Sequence, residues 1–275
     1  MQIKVTFWLS ILASLAPGTM SGQGIRPVIV QPATVVERGP HHRTWQYVSL
    51  DDVGGELVEQ THSYIELASG LNVWSPAGNT WAEASDEIEL FPNGAIARKA
   101  QHKVIFAPNL NDPGGTIDLS MHDGRRLRSQ VVGIAYTDAT TGQSVFVAEM
   151  KDSAGVLVGR NQVVYPAALD LMKADVRYTM AIGTFEQDVI LKQQLPSPAR
   201  YGFASADNLQ VEIWTEFLEA PEPNKRALRQ TENPLEADEQ LDFGPTGMFF
   251  GVSEVFRLAD NGNPIVAGIT DKRAV

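Results

Sequence analysis

Val211-Glu212-Ile213-Trp214-Thr215-Glu216-Phe217 alternates with a period of two, the signature of a β-strand. Val211, Ile213, Thr215 and Phe217 fall on one face, and Glu212, Trp214 and Glu216 on the other. The same alternation, with β-branched and aromatic enrichment, runs outward in both directions and predicts strands over Trp45 to Leu50, Leu57 to Ala68, Leu71 to Trp74, Glu87 to Phe91, Ala95 to Ala107 and Thr116 to Met121. It continues over Val131 to Thr137, Ser144 to Lys151, Gln162 to Tyr165, Ala174 to Ile182, Phe185 to Gln193 and Leu209 to Leu218. Pro92-Asn93-Gly94, Pro113-Gly114-Gly115, Asp123-Gly124 and Thr141-Gly142 punctuate them with residues that suit tight turns. The pattern implies an all-β protein, an antiparallel β-sandwich with many short strands.

Two stretches break the pattern. Pro166 to Lys173 has the makings of one helical turn, with Pro166 at its first position. Residues 219–242 are rich in charge and carry Pro221, Pro223 and Pro234, so they read as a linker or long surface loop. Met248 to Leu258 and Pro264 to Ile269 then form a hairpin through Asp260-Asn261-Gly262-Asn263. The expected organisation is a leader over 1–22, an extended segment over 23–43, a sandwich over 44–218, the linker over 219–242 and a terminal hairpin over 243–275 that completes a sheet or starts a further domain.

The leader rests on Lys4 followed by the apolar run Val5 to Ala16, then Pro17-Gly18 and the small residues Ser21 and Gly22, the layout of a secretory signal peptide. That run is shorter than the ~18 apolar residues of a spanning helix, and no later stretch reaches that length. The expected location is therefore secreted or cell-surface, with no integral membrane segment after leader removal. Cysteine is absent, so stability rests on burial and not on disulfides. A formal charge of −11 argues against nucleic acid as a partner, because that surface needs clustered cations. The one basic cluster, Arg125-Arg126-Leu127-Arg128, follows an Asp-Gly turn and reads as a solvated hairpin.

The chain lacks a Gly-x-Ser-x-Gly elbow, a His-Glu-x-x-His helix, a phosphate-binding Gly-x-x-x-x-Gly-Lys loop and a cysteine nucleophile. No catalytic residue is assigned on this basis. On the polar face of the opening strand, Trp214 between Glu212 and Glu216 has the chemistry of a sugar platform: the ring stacks on C–H faces and the carboxylates accept hydroxyl hydrogen bonds. The ordinary alternative is a Trp covering a solvated sheet face with charges beside it for solubility. Trp74 and Trp81 flank Ser75 to Thr80 and are expected to face each other across a hairpin, either as a structural pair or as an aromatic strip for a glycan or protein. His62, His102 and His122 are dispersed and His41-His42 point to opposite sides, so no transition-metal site is expected. Acidic loops at Asp51-Asp52, Asn109 to Asp112 and Asp260 to Asn263 concentrate oxygen ligands without calcium-loop spacing, and Asx turns account for them. No cofactor is expected.

Ala174-Asp175-Val176-Arg177-Tyr178, leading through Gly183-Thr184-Phe185-Glu186-Gln187-Asp188-Val189-Ile190-Leu191, resembles a stretch in the β-rich N-terminal regions of bacterial secreted proteins of the rearrangement-hotspot (YD-repeat) and wall-associated type. Leu71-Asn72-Val73-Trp74 with Thr80-Trp81 and Glu87 adds to the likeness. The tyrosine-aspartate repeats that name that family are absent here, so the resemblance concerns an N-terminal module and implies a surface scaffold, not an activity. The resulting expectation is a non-catalytic exported structural or ligand-binding module, with Trp74, Trp81, Trp214, Glu212 and Glu216 as contact residues for a glycan or protein. The alternative is a carbohydrate-active hydrolase using a carboxylate pair.

Overall fold

A computed structural model describes residues 2–3, 28–121, 123–204, 208–228, 238–243, 247–249, 253–258 and 264–270. Apart from Gln2 and Ile3, the expected leader lies outside the described residues, as does the turn over 260–263. The protein is all-β, built from antiparallel sheets. It divides into two compact units, Thr6–Ala84 and Ser85–Val275, the second joined by Met1–Val5 through β1 (Gln2–Ile3). The boundary falls inside the 44–218 stretch.

The smaller unit holds β2 (Val28–Gly39), β3 (His42–Val53) and β4 (Glu56–Leu67), a meander in the order β2-β3-β4. Each of these strands has twelve residues, longer than the common ~3–10. Gly54 and Gly55, at φ +69° and +93°, make the two-residue turn that joins β3 to β4, a conformation that favours glycine at both positions. The extended segment read over 23–43 thus becomes a full strand from Val28. A second hairpin, β5 (Asn72–Ser75) with β6 (Thr80–Glu83), completes this unit.

In the larger unit, β7 (Glu89–Phe91), β8 (Gly94–Ala97), β9 (Lys103–Phe106), β10 (Ile117–Ser120), β11 (Arg126–Asp138) and β12 (Ser144–Glu149) form one antiparallel sheet. A second sheet is the meander β13 (Val156–Val158), β14 (Gln162–Tyr165), β15 (Ala174–Ala181) and β16 (Thr184–Leu191). The long strand β17 (Leu209–Glu219) joins the first sheet along β11, from Arg128 to Asp138. Residues 126–129 of β11 pair with β10 and 133–137 with β12 while β17 spans both, so β10 and β12 share one edge of β11 and β17 holds the other.

The two sheets pack face to face as a sandwich. Phe106 of β9 meets Tyr178 of β15 and Phe185 of β16, each at 6.1 Å between ring centroids, and Tyr165 donates from its hydroxyl to Ala107 O at 2.6 Å. Alternation along β15 sends Ala174, Val176, Tyr178 and Met180 into the core. Full burial of a Val or Met side chain such as Val176 or Met180 contributes roughly 1.5–3 kcal/mol. Arg177, on the other face, pairs across the strand with the buried Asp188 at 2.8 Å.

Three readings change. Ala95 to Ala107 is two strands, because the chain reverses over Arg98 to His102 without Gly or Pro; Ser85 N–H donates to Lys99 O at 2.7 Å and Lys99 pairs with Glu87 at 3.3 Å, so tertiary contacts hold the reversal. Pro166 to Lys173 contains no helix: Ala167 sits at φ +50°, where its N–H donates to Asp175 Oδ1 at 3.0 Å, and Leu169 bridges to Met150. Residues 219–242 include β18 (Asn224–Leu228) and β19 (Asp238–Asp242), which pair and continue into β20 (Gly247–Phe249). Leu241 and Phe243 are buried in the sandwich core, with Phe243 against Phe217, which gives this charged segment an anchor. The terminal hairpin forms as β21 (Ser253–Leu258) with β22 (Pro264–Thr270), and β1 pairs with β21.

Candidate functional site

On β17, Ile213 and Phe217 pack against the core and Thr215 accepts a hydrogen bond from Gln187 Nε2 at 3.1 Å, so the 213/215/217 face looks into the sandwich, whereas Val211 is exposed. Glu212, Trp214 and Glu216 do share the outer face, but they are not equally open. Gly133 and Ala135 of β11 lie beneath them, opposite Trp214 and Glu212. A Cβ on Gly133 would collide with Ala148 O and press on Phe146, so glycine is required for the close approach of β12. Over this low floor the Trp214 ring meets Phe146 edge to face at 5.0 Å. Glu212 is buried, and its Oε2 accepts from Trp214 Nε1 at 2.9 Å and from Thr137 Oγ1 at 2.7 Å. Glu216 is exposed and accepts from Gln130 Nε2 at 2.8 Å. The arrangement is a closed polar-aromatic patch in which the Glu212 carboxylate is already committed to protein donors.

Trp74 and Trp81 stand directly opposite each other on β5 and β6, edge to face at 5.4 Å. Trp74 is 45% exposed. The hairpin is fixed to the meander by two buried polar residues. Asn72, fully buried, donates from Nδ2 to Gly39 O at 2.7 Å and His42 O at 3.0 Å, and accepts from Arg38 Nη1 at 2.9 Å. Arg43 donates to Leu71 O at 3.1 Å and pairs with Glu83 at 3.1 Å and Glu66 at 3.8 Å. A Trp pair held on such a footing presents its rings at little conformational cost.

One aromatic group escaped the sequence reading. Across the regular β3–β4 register, Trp45 faces Tyr64 and Tyr47 faces His62. Trp45 and Tyr64 are nearly parallel at 6.2 Å, and Tyr47 and His62 at 4.8 Å. Trp45 Nε1 donates to Glu66 Oε2 at 2.8 Å, and Tyr64 is 49% exposed. The signal was present as Trp45-x-Tyr47 and His62-x-Tyr64, aromatics spaced by two on adjacent strands; only the register that joins them was not readable. Trp45, Trp74 and Trp81, three of the four Trp residues outside the expected leader, therefore lie in the Thr6–Ala84 unit.

Ser49, Asp51 and His62 lie together on the same face, with Ser49 Oγ 2.8 Å from His62 Nε2 and Asp51 Oδ2 3.2 Å from the same nitrogen. A hydrolytic relay needs nucleophile and orienting carboxylate on opposite ring nitrogens. Here both meet Nε2 and Ser49 is fully buried, so the cluster fixes the ring and exposes no nucleophile. The acidic loops behave as Asx turns: Asp52 Oδ1 accepts from Gly55 N–H and Asp112 Oδ1 from Gly114 N–H. Among the described residues no group of three or more His, Asp or Glu is placed to hold a metal ion. The basic cluster is absorbed internally: Arg125 bonds Asp123, Arg126 bonds Asp118, and Arg128 donates from Nε to Gly114 O at 2.8 Å. Surface depressions are shallow, one beside Tyr136 and Pro196 and one around Ala167 and Lys173. Among the described residues no helix is long and apolar enough to cross a membrane.

No family model, curated protein or solved structure matches the chain.

Proposed function

We propose that this protein is an exported, non-catalytic ligand-binding module of a bacterial surface protein of the YD-repeat or wall-associated type. Its contact surface is the aromatic group of the Thr6–Ala84 unit: Trp74 and Trp81 on the short hairpin, and Trp45, Tyr47 and Tyr64 on the meander. The observation that carries the reading is the aromatic strip across β3 and β4, in which Tyr64 is exposed and Trp45 and Tyr47 are half-buried, because accessible rings arrayed on a sheet suit the C–H faces of a glycan or the apolar side chains of a protein. The Glu212, Trp214 and Glu216 patch serves as a secondary contact at most, since its acceptor and its indole N–H satisfy each other.

The hydrolase alternative needs two carboxyl groups about 5–9.5 Å apart. Glu212 and Glu216 are four residues apart on one strand, roughly 13 Å between Cα atoms at ~3.3 Å per residue, with Trp214 between them. Incubating the purified protein with a panel of polysaccharides, and measuring both depletion from solution and released reducing sugar, separates the two readings. The proposal expects depletion without sugar release. Sugar release that disappears in Glu212→Gln or Glu216→Gln would overturn it.

A further inference from the structure

The proton on the His62 ring is placed by its neighbours. The buried Ser49 hydroxyl has one hydrogen and donates it to Asp51 Oδ1 at 2.6 Å. Toward His62 Nε2, 2.8 Å away, Ser49 Oγ is therefore an acceptor. Asp51 Oδ2, 3.2 Å from the same nitrogen, is an acceptor as well. A bare Nε2 would set its lone pair against both oxygens, so Nε2 carries the proton and the neutral ring keeps its lone pair on Nδ1. Tyr47 stacks on the ring at 4.8 Å, 17° from parallel, and holds its plane. Among the described residues no protein group hydrogen-bonds to Nδ1, and the side chain is 33% exposed. The fold thus builds and aims an unmet acceptor within the aromatic strip.

A second acceptor stands on the same face of β4, where His62, Tyr64 and Glu66 alternate outward opposite Tyr47, Trp45 and Arg43. Glu66 takes the Trp45 Nε1–H on Oε2 and leaves Oε1 open, with its side chain 40% exposed. The Tyr64 ring therefore lies between two acceptors, while the indole N–H of Trp45 is already committed. This surface offers ring faces and acceptors, and a ligand has to bring the donors.

We propose that His62 Nδ1 accepts a hydrogen bond from a hydroxyl of a neutral glycan lying on Tyr64 and Trp45, and that this bond selects the ligand class. The inference rests on the binding function proposed above and narrows it. A sugar supplies both parts, C–H faces for the rings and hydroxyl donors for Nδ1 and for Glu66 Oε1. Apolar protein side chains would cover both acceptors without donating to them, which is unfavourable. A cationic peptide would gain from Glu66 and nothing from a neutral imidazole.

Two measurements on the full chain test this. Long-range proton–nitrogen correlation spectroscopy in mildly alkaline buffer, without ligand, is expected to show His62 Nε2 protonated and Nδ1 bare; the reverse order overturns the inference and leaves the binding function standing. The second measurement is retention by a panel of neutral polysaccharides, with polylysine alongside. His62→Gln places an amide N–H where Nε2 was, so Ser49 and Asp51 keep a donor while the Nδ1 acceptor is lost. It is expected to weaken binding of the retained polysaccharide by about 3- to 10-fold, the value of one hydrogen bond, and to change binding of the O-methylated form of that polysaccharide far less. Equal weakening on both forms, or none on either, would show that His62 merely packs and would overturn the proposal. Retention by polylysine alone would overturn it in favour of a cationic partner. Retention by nothing on the panel would overturn it too, and with the expected ring state that failure lies in the binding function and not in the geometry of His62.

Discussion

Replacing Glu212 tests whether the outer patch of β17 is structural. Glu212 is 5% exposed and its Oε2 accepts both Trp214 Nε1–H and Thr137 Oγ1–H. Hydrogen bonds to a charged group are worth about 1.5–3 kcal/mol each, and leaving a buried donor unmet costs about 1–3 kcal/mol, offset in part by relief from burying a charge. Glu212→Ala is therefore expected to destabilise by about 2–4 kcal/mol, a fall in Tm of roughly 4–16 °C for a domain of this size. Glu212→Gln keeps an acceptor oxygen in place and is expected to cost less than about 1 kcal/mol. Differential scanning calorimetry of the three proteins measures both, and near-ultraviolet circular dichroism follows Trp214. An Ala variant as stable as the parent, or a Gln variant as damaged as the Ala, would refute the idea that acceptance of these two bonds explains the buried carboxylate.

Other expectations follow from the same contacts. Burial raises the phenol pKa of Tyr136, Tyr165 and Tyr178 above the usual 10. The unfolded chain loses these protons first, so their stabilising contribution is complete below pH 10 and declines above it by about 1.4 kcal/mol per pH unit per group until each folded pKa is reached. Urea unfolding between pH 9 and 11 measures the slope, and Tyr178→Phe should reduce it. Asn72→Ala strips three partners from a fully buried site and should cost about 2–4 kcal/mol while weakening any ligand held by Trp74, even though no aromatic residue changes. Gly133→Ala should destabilise by about 1–3 kcal/mol through the clash with Ala148 O, seen as a lower urea midpoint; an unchanged midpoint would show that β12 yields freely.

Strand identity was legible because side-chain alternation is local. Gln162 to Tyr165 and Leu209 onward match the observed strands within a residue, and the face assignment of Ile213 and Phe217 holds. The reversal at Arg98 to His102 was not legible, since ion pairs and a backbone bond to Ser85 make it instead of turn residues. The strands within 219–242 were hidden by charge and proline, although Leu241 and Phe243 supply the burial that fixes them. For the candidate site, the Trp74–Trp81 pairing could be read across a short loop. The burial of Glu212 could not, because it depends on Gly133 and Phe146, far away in sequence. The Trp45–Tyr64 and Tyr47–His62 pairs needed the β3–β4 register, which the Gly54-Gly55 turn sets.

The most direct test of the binding function is a comparison of Trp45→Ala, Trp74→Ala and Trp214→Ala by titration against whichever polysaccharide or protein ligand depletes the parent from solution. Aromatic anchors at binding surfaces contribute about 2 kcal/mol or more. Trp45→Ala and Trp74→Ala are therefore expected to weaken binding roughly 30-fold or more while keeping their fold. Trp214→Ala should lower stability and leave the Kd of its folded fraction within about threefold. Loss of binding confined to Trp214→Ala, with the Trp45 and Trp74 variants binding as the parent does, would contradict the account and move the site to the outer face of β17.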